Sequence, residues 1–340
     1  MKAKAKVPDP NRIIVMGASA GGLKALTKVL SQLPANFPVP VLVVQHISAD
    51  ATGDALLDSL RKNTQLNCAH AKNKGRMKPG HLYLAPSDHH LMIDEDKTLL
   101  VTKGAHENRS RPAIDPLFRS AAVTFGTGAV AILLTGYLND GTSGMEAIKR
   151  CGGICIVQDP EDAEYPAMPQ SALNQVKVHY CLPLSQMGGL INKLLLTKVK
   201  KQLPVPEDIR TETDIAKRVI SDLPSVNSLG NLVPFNCPGC GGVLWEIKSG
   251  KGLRFRCHTG HAYTASSLLA EQTMKIEETM WTALRMFEER RNLLLTLSRD
   301  QKGAAANSSI ERAEASQIHI DRIKAILHTD DKGTTSDIPV

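Results

Sequence analysis

Gly17-Ala18-Ser19-Ala20-Gly21-Gly22 sets one serine hydroxyl among small residues, between the apolar run Arg12-Ile13-Ile14-Val15-Met16 and the helically periodic stretch from Leu23 to Leu30. Glycine-flanked serine on a strand-to-helix turn fits a nucleophile elbow, where small neighbours allow a sharp bend and helix-start amides can hold an oxyanion. Ser19 is then a candidate nucleophile. A dinucleotide-binding turn would instead want glycine at Ser19 and an acidic residue at the end of the next strand, where this chain has Gln45-His46. A plain helix N-cap role for Ser19 also fits the local residues.

A second set of chemistry-bearing residues is Cys237-Pro238-Gly239-Cys240, followed after a hairpin-sized gap by Cys257-His258-Thr259-Gly260-His261. Two tight turns that each aim two ligands at one point suit a tetrahedral zinc. Cys237, Cys240, Cys257 and His261 would close the site, which makes the metal structural. His261 is favoured over His258 because neighbours in an extended strand point apart, whereas Gly260 permits a turn. A disulfide fits poorly with seven cysteines and reducing surroundings, and a Cys237/Cys240 redox dithiol is the alternative. Cys68, Cys151, Cys155 and Cys181 lie in or beside apolar stretches and are expected to be buried thiols.

The elements that must position Ser19 alternate between strand and helix patterns. Strand-like runs stand at 41–44, 81–84, 130–134 and 154–157, with helical stretches near 52–62, 115–125, 143–150 and 169–176. This predicts an α/β fold with a doubly wound, mostly parallel sheet covered on both faces, and a hairpin inserted at 91–101. Ligands of such sheets sit beyond the carboxyl ends of the strands. Ser19, His46 and Asp140 each follow an apolar run, so nucleophile, base and orienting carboxylate reach one edge. Singly, His46 could be a satisfied half-buried histidine and Asp140 a turn residue ahead of Gly141.

With these motifs set out, the chain resembles the catalytic domain of chemotaxis protein-glutamate methylesterases of the CheB type. The resemblance rests on the segments Ile14 to Gly22, Val44-Gln45-His46, Arg111-Pro112-Ala113-Ile114-Asp115-Pro116-Leu117-Phe118, Leu134 to Gly141, and Ala167-Met168-Pro169-Gln170-Ser171-Ala172. It implies hydrolysis of γ-methyl esters on glutamates of methyl-accepting chemoreceptors or related signalling proteins. Methanol is released, and many members also deamidate receptor glutamines. It assigns the triad roles to Ser19, His46 and Asp140, with Ala20, Tyr137 and Met168 at the oxyanion and substrate pocket and no cofactor for catalysis. The family commonly has threonine at Ala20 and methionine at Tyr137. A backbone N–H donor survives such exchanges, so altered pocket shape is expected rather than lost chemistry. The relatives usually carry an N-terminal receiver domain, for which about ten residues before the first strand leave no room. A scaffold module that has lost its chemistry, or a hydrolase of an unrelated ester, are the other readings.

The 340 residues, 42% hydrophobic and 22% charged, suit a soluble globular chain of about two domains. No run of about 18 apolar residues and no signal-like start occur, so no membrane insertion and a cytoplasmic location are expected. The net charge of +7 comes with only 4% aromatic residues and with lysines in tail and linker, which argues against nucleic acid as a partner. The expected order is a methylesterase domain over 10–200, a linker over 201–233 with little core, a zinc-ribbon-like module over 234–263, a helical hairpin or coiled-coil extension over 264–330, and a disordered tail over 331–340. Leu269, Ile276, Met280, Ala283, Phe287, Leu294 and Leu297 form one apolar seam, matched by Ile310, Ala313, Ile320, Ile323 and Leu327. Homo-oligomerisation through these helices is one expected use. The tail is expected to set partner choice rather than chemistry, with residues 1–200 sufficient to fold and hydrolyse a small ester.

Overall fold

A computed structural model describes residues 11–218, 222–248 and 250–328. β1 (Ile13–Ala18) is buried throughout, as an unbroken apolar run covered on both faces should be. There follow α1 (Gly22–Leu30), β2 (Val41–Gln45), α2 (Asp54–Asn63), β3 (Asn67–His70) and β4 (His81–Leu84). β5 (His90–Ile93) and β6 (Leu99–Thr102) form the inserted antiparallel hairpin. The series resumes with α3 (Ile114–Phe125), β7 (Ala129–Leu133), α4 (Thr142–Arg150), β8 (Ile154–Gln158), α5 (Ala167–Gln175), β9 (Tyr180–Leu182) and α6 (Leu184–Leu195).

Seven strands pair in the order β3-β4-β2-β1-β7-β8-β9, and every pairing is parallel. Alternate residues of β1 serve two cores. Ile13 and Val15 pack with Phe118, Met145 and Met168 from α3, α4 and α5, while Ile14 and Met16 pack with Leu26, Leu60 and Ile191 from α1, α2 and α6. The chain leaves β1 toward β2 on one side and returns as β7 on the other. The topological switch point, where a crevice opens beyond the strands, therefore lies between β1 and β7.

The stretch 201–233, expected as a linker, instead contains α7 (Glu207–Lys217) and α8 (Leu223–Leu229). α7 buries Ile209, Glu212, Thr213 and Ile215, and α8 adds Val226 and Leu229 to a small core with Ile215, Trp245 and Ile247. Charged residues such as Glu212 suggest a solvated segment, but Glu212 is buried between Arg119 and Arg254. β10 (Gly230–Asn236), β11 (Val243–Ile247), β12 (Arg254–Cys257) and β13 (Ala262–Thr264) make an antiparallel four-stranded ribbon. The described residues up to Ser267 form one compact unit, so the ribbon does not stand apart from the parallel-sheet domain.

α9 (Ala265–Asp300) and α10 (Ala304–His328) complete the chain, and the described residues from Leu268 onward form a second compact unit. Within it Leu284, Ile320 and Ile323 pack with Met280, Ala283, Phe287 and Leu327, and the Phe287 ring stacks on His319 at 4.9 Å. Part of the expected seam stays open: Leu269, Ile276, Leu297 and Ile310 are each over 40% exposed, whereas Leu294 and Ala313 are buried. The expected disordered tail at 331–340 lies outside the described residues. Among the described residues, no helix is long and apolar enough to cross a membrane.

Candidate active site

Ser19 leaves the end of β1 at the switch point. Its N–H donates to Thr135 O at 3.0 Å, from the segment after β7, and its own carbonyl accepts from Gly22 N at 2.9 Å and Gln45 Nε2 at 2.7 Å. The turn is thus fixed from β7, from α1 and from β2. His46, the first residue after β2, donates its backbone N–H to Ala18 O at 3.1 Å, which places its ring beside the serine. His46 Nδ1 lies 3.1 Å from Ser19 Oγ, and Nε2 lies 2.8 Å from Asp140 Oδ2. With Nε2 donating to the carboxylate, Nδ1 is the acceptor for the serine proton.

Asp140 is buried, with 2% of its surface exposed, in the segment between β7 and α4. Burial opposes its charge. The hydrogen bond from His46, and further ones from Ile114 N at 2.6 Å, Asn108 Nδ2 at 3.0 Å and Gly141 N at 2.9 Å, nevertheless hold its carboxyl below the ordinary value. An ionised carboxylate in this position fixes the imidazole and can stabilise its charged form. The three side chains singled out by sequence are therefore brought together in a hydroxyl–imidazole–carboxylate relay.

Two residues beside them were not assigned a role from sequence. Asp115, at the start of α3, accepts from Gly144 N at 2.6 Å and from Asn108 Nδ2 at 2.9 Å. Burial, and then the neighbouring Asp140 charge, push its carboxyl up to about 7. Asp115 lies within the Arg111–Phe118 motif, which was the available signal. Asn108 lies just before that motif, and nothing in its spacing marks it.

Residues 14–191, more than half of the chain, match the family model for the CheB methylesterase. The chain belongs to the CheB methylesterase family. It is 39% identical over 181 residues to a putative protein-glutamate methylesterase/protein-glutamine glutaminase of Leptospira interrogans, covering 53% of this chain and 93% of that protein. It is 35% identical over 188 residues to the protein-glutamate methylesterase FrzG of Myxococcus xanthus, covering 55% of this chain and 56% of the relative. The crystal structure of the Thermotoga maritima CheB methylesterase catalytic domain superposes with a TM-score of 0.52 at 32% identity, covering 54% of this chain and 98% of that one.

Around the relay, the family domain presents Ala20, Tyr137 and Met168 as follows. Among the described residues, the Ala20 N–H donates to no protein acceptor. Gly136 packs so closely on Ser19 and Met168 that a Cβ there would stand 2.7 Å from both Ser19 Cβ and Met168 Cε. Met168 is fully buried, whereas Tyr137 is 59% exposed and its ring lies 4.6 Å from that of Tyr165. Tyr137 and Tyr165, with Pro166, Ala167 and Gln170, line an apolar cleft of about 290 Å³.

The ribbon lies outside the family match. Cys237, Cys240, Cys257 and His261 place their ligand atoms within 4.8 Å of one another. Cys237 N donates to Gly242 O, and Cys257 N donates to His261 O, so each pair sits on its own tight turn. Gly260, with φ of 105°, supplies the second turn and brings His261 rather than His258 into the set. The cysteines are not joined as disulfides. Of the other four, Cys151 and Cys155 are buried and Cys68 is half-buried, but Cys181 is exposed, at the sheet-edge strand β9.

Proposed function

We propose that this protein is a serine esterase that removes methyl groups from glutamate γ-methyl esters of methyl-accepting chemoreceptors or related signalling proteins, and also deamidates receptor glutamines. The observation that carries the reading is the 3.1 Å and 2.8 Å pair of contacts joining Ser19, His46 and Asp140 within a CheB methylesterase domain. Ser19 Oγ attacks the γ-carbonyl carbon while His46 Nδ1 takes its proton. The Ala20 N–H supports the developing oxyanion. His46 then returns the proton to the methoxide, methanol leaves, and water repeats the sequence on the glutamyl–serine ester to free the γ-carboxylate. Tyr137 shapes the side on which the substrate segment lies, Met168, fully buried, packs behind Gly136 instead of meeting the substrate, and the apolar cleft suits a helical receptor surface. The protein acts in the cytoplasm on this reading.

The Cys237, Cys240, Cys257 and His261 set fits zinc in ligand type and number, and a fully protein-ligated zinc would hold the ribbon together without touching the ester. Homo-oligomers would form through α9 and α10. The test is methyl release from methylated receptor membranes, comparing wild type with Ser19→Ala. A loss of about 10³-fold or more is expected. Equal release by both would leave a binding module in place of an enzyme, and turnover confined to unrelated small esters would move the substrate class.

A further inference from the structure

Asn108 sits in the loop between β6 and α3, 6% exposed, with φ of 49°, a left-handed backbone that asparagine tolerates better than most residues. A carboxamide has two N–H donors and an oxygen with two lone pairs, and here both donors are engaged while the oxygen shares two donors with neighbouring acceptors. Nδ2 donates to Asp140 Oδ1 at 3.0 Å and to Asp115 Oδ2 at 2.9 Å. Oδ1 accepts from Thr264 N at 3.2 Å and Ser267 Oγ at 3.3 Å. Thr264 ends β13, and Ser267 lies three residues further on. Thr264 N also donates to Ser267 Oγ at 2.8 Å and Ser267 Oγ to Thr264 O at 3.1 Å, so the orientation is set first by ionised Asp140, whose Oδ1 requires a donor and so turns the amide oxygen toward Thr264 and Ser267. Turned the other way, the amide would set its oxygen against carboxylate oxygens and its donors against donors.

The ribbon holds this loop at further points. Asn108 N donates to Ala262 O at 2.8 Å, Ala262 N donates to His106 O at 3.3 Å, and Thr264 Oγ1 donates to Asn139 Oδ1 at 2.7 Å, next to Asp140. We infer that Asn108 is a positioning residue of the esterase and that the end of ribbon strand β13 with the first turn of α9, by supporting its amide, holds Asp140 and through it His46. The inference rests on the esterase reading of Ser19, His46 and Asp140. Without the shared amide donor, two buried carboxyl groups face each other, and the carboxylate that must stabilise the His46 imidazolium is displaced or protonated. The ribbon then belongs to the chemistry, contrary to the expectation that residues 1–200 suffice.

The test uses the full chain with Asn108→Ala, Ser267→Ala and the hydroxyl-keeping Ser267→Thr. Two readouts are taken: small-ester kcat and KM, and the low-field proton NMR signal of the His46 ring N–H held by Asp140. Asn108→Ala should lower kcat roughly ten- to a hundredfold, the effect of a lost hydrogen bond to a charged group, with KM nearly unchanged. The low-field signal should shift or vanish. Ser267→Ala should move both readouts less in the same direction, with recovery in Ser267→Thr. If Asn108→Ala does not fold, Ser267→Ala decides by the same readouts. Folded variants with wild-type kcat and an unmoved His46 proton would overturn the inference. A shifted proton in a protein whose wild type hydrolyses nothing would support the positioning role while sinking the esterase reading.

Discussion

Glu107 Oε1 accepts a hydrogen bond from Arg256 at 3.0 Å, and both side chains are 2% exposed. Its other oxygen accepts from Arg119, and Glu212 of α7 lies 3.0 Å from Arg254 and 3.7 Å from Arg119. Burial opposes the Glu107 charge, but Arg119 and Arg256 hold its carboxyl down to about 2. The network joins α3 to α7 and to β12, which explains why the sheet domain and the ribbon form one compact unit.

Breaking a buried pair by removing one partner strands the other charge. Arg256→Met should therefore cost about 3–5 kcal/mol, whereas Glu107→Met combined with Arg256→Met and Arg119→Met should cost less than the sum of the single changes. Urea unfolding of the full chain measures both. A single variant as stable as wild type would show that the pair carries no structural weight.

Asp115 gives the stability a pH dependence of definite sign. Its folded carboxyl is raised from 3.8 to about 7, so between these values the folded chain holds a proton that the unfolded chain has lost. The stability it contributes is complete below 3.8 and disappears as pH rises through about 7. Asp140 runs the other way: its carboxyl is lowered, and its contribution is lost as pH falls through its folded value. Unfolding free energy of wild type minus that of Asp115→Asn should accordingly fall with rising pH across this window. A difference that does not change with pH contradicts the assignment.

The sheet and the relay were legible in the sequence because both are local signals. Unbroken apolar runs mark buried parallel strands, and Ser19 and His46 each stand immediately beyond one, with Asp140 on the longer segment that follows β7. The Cys and His spacing was readable for the same reason, since each tight turn is a few residues long. The stretch 201–233 was misread because Glu212 is charged, and a charge buried against Arg119 and Arg254 looks, in one dimension, like a solvated one. Asn108 was missed because its partners, Asp140, Thr264 and Ser267, are distant in the chain. The paired part of the helical seam was readable from its three-four spacing, but the same spacing continues through Leu269, Ile276, Leu297 and Ile310, which stay exposed.

Zinc in the ribbon would link metal content to activity through Asn108. Purified protein should contain about one zinc per chain, and Cys237→Ser should lose it with loosening of the ribbon. Stripping the metal from the full chain should lower small-ester turnover, and returning zinc should restore it. Metal analysis beside the ester assay checks this, and metal-free protein with full turnover and an intact ribbon would refute it.

Gly136→Ala should move Ser19, the proposed nucleophile. A Cβ at this position would stand 2.7 Å from Ser19 Cβ and from Met168 Cε, closer than such atoms can approach. Gly136 cannot easily retreat, because its N–H donates to Tyr165 O at 3.0 Å and its carbonyl accepts from Met168 N at 3.0 Å. The Met168 methyl is the free end of a flexible chain and can yield. Ser19 Cβ is attached to a backbone held by Thr135 O and Gln45 Nε2, so the serine hydroxyl shifts relative to His46 Nδ1. Displacements near 1 Å in a reacting group can cost about 10²-fold, and a loss of that order is expected in the rate at which a fluorophosphonate labels Ser19. Adding Met168→Ala should recover little of the loss, because the contact that matters is the one to Ser19. Full recovery in that double variant would show that Met168, rather than the nucleophile, absorbs the strain.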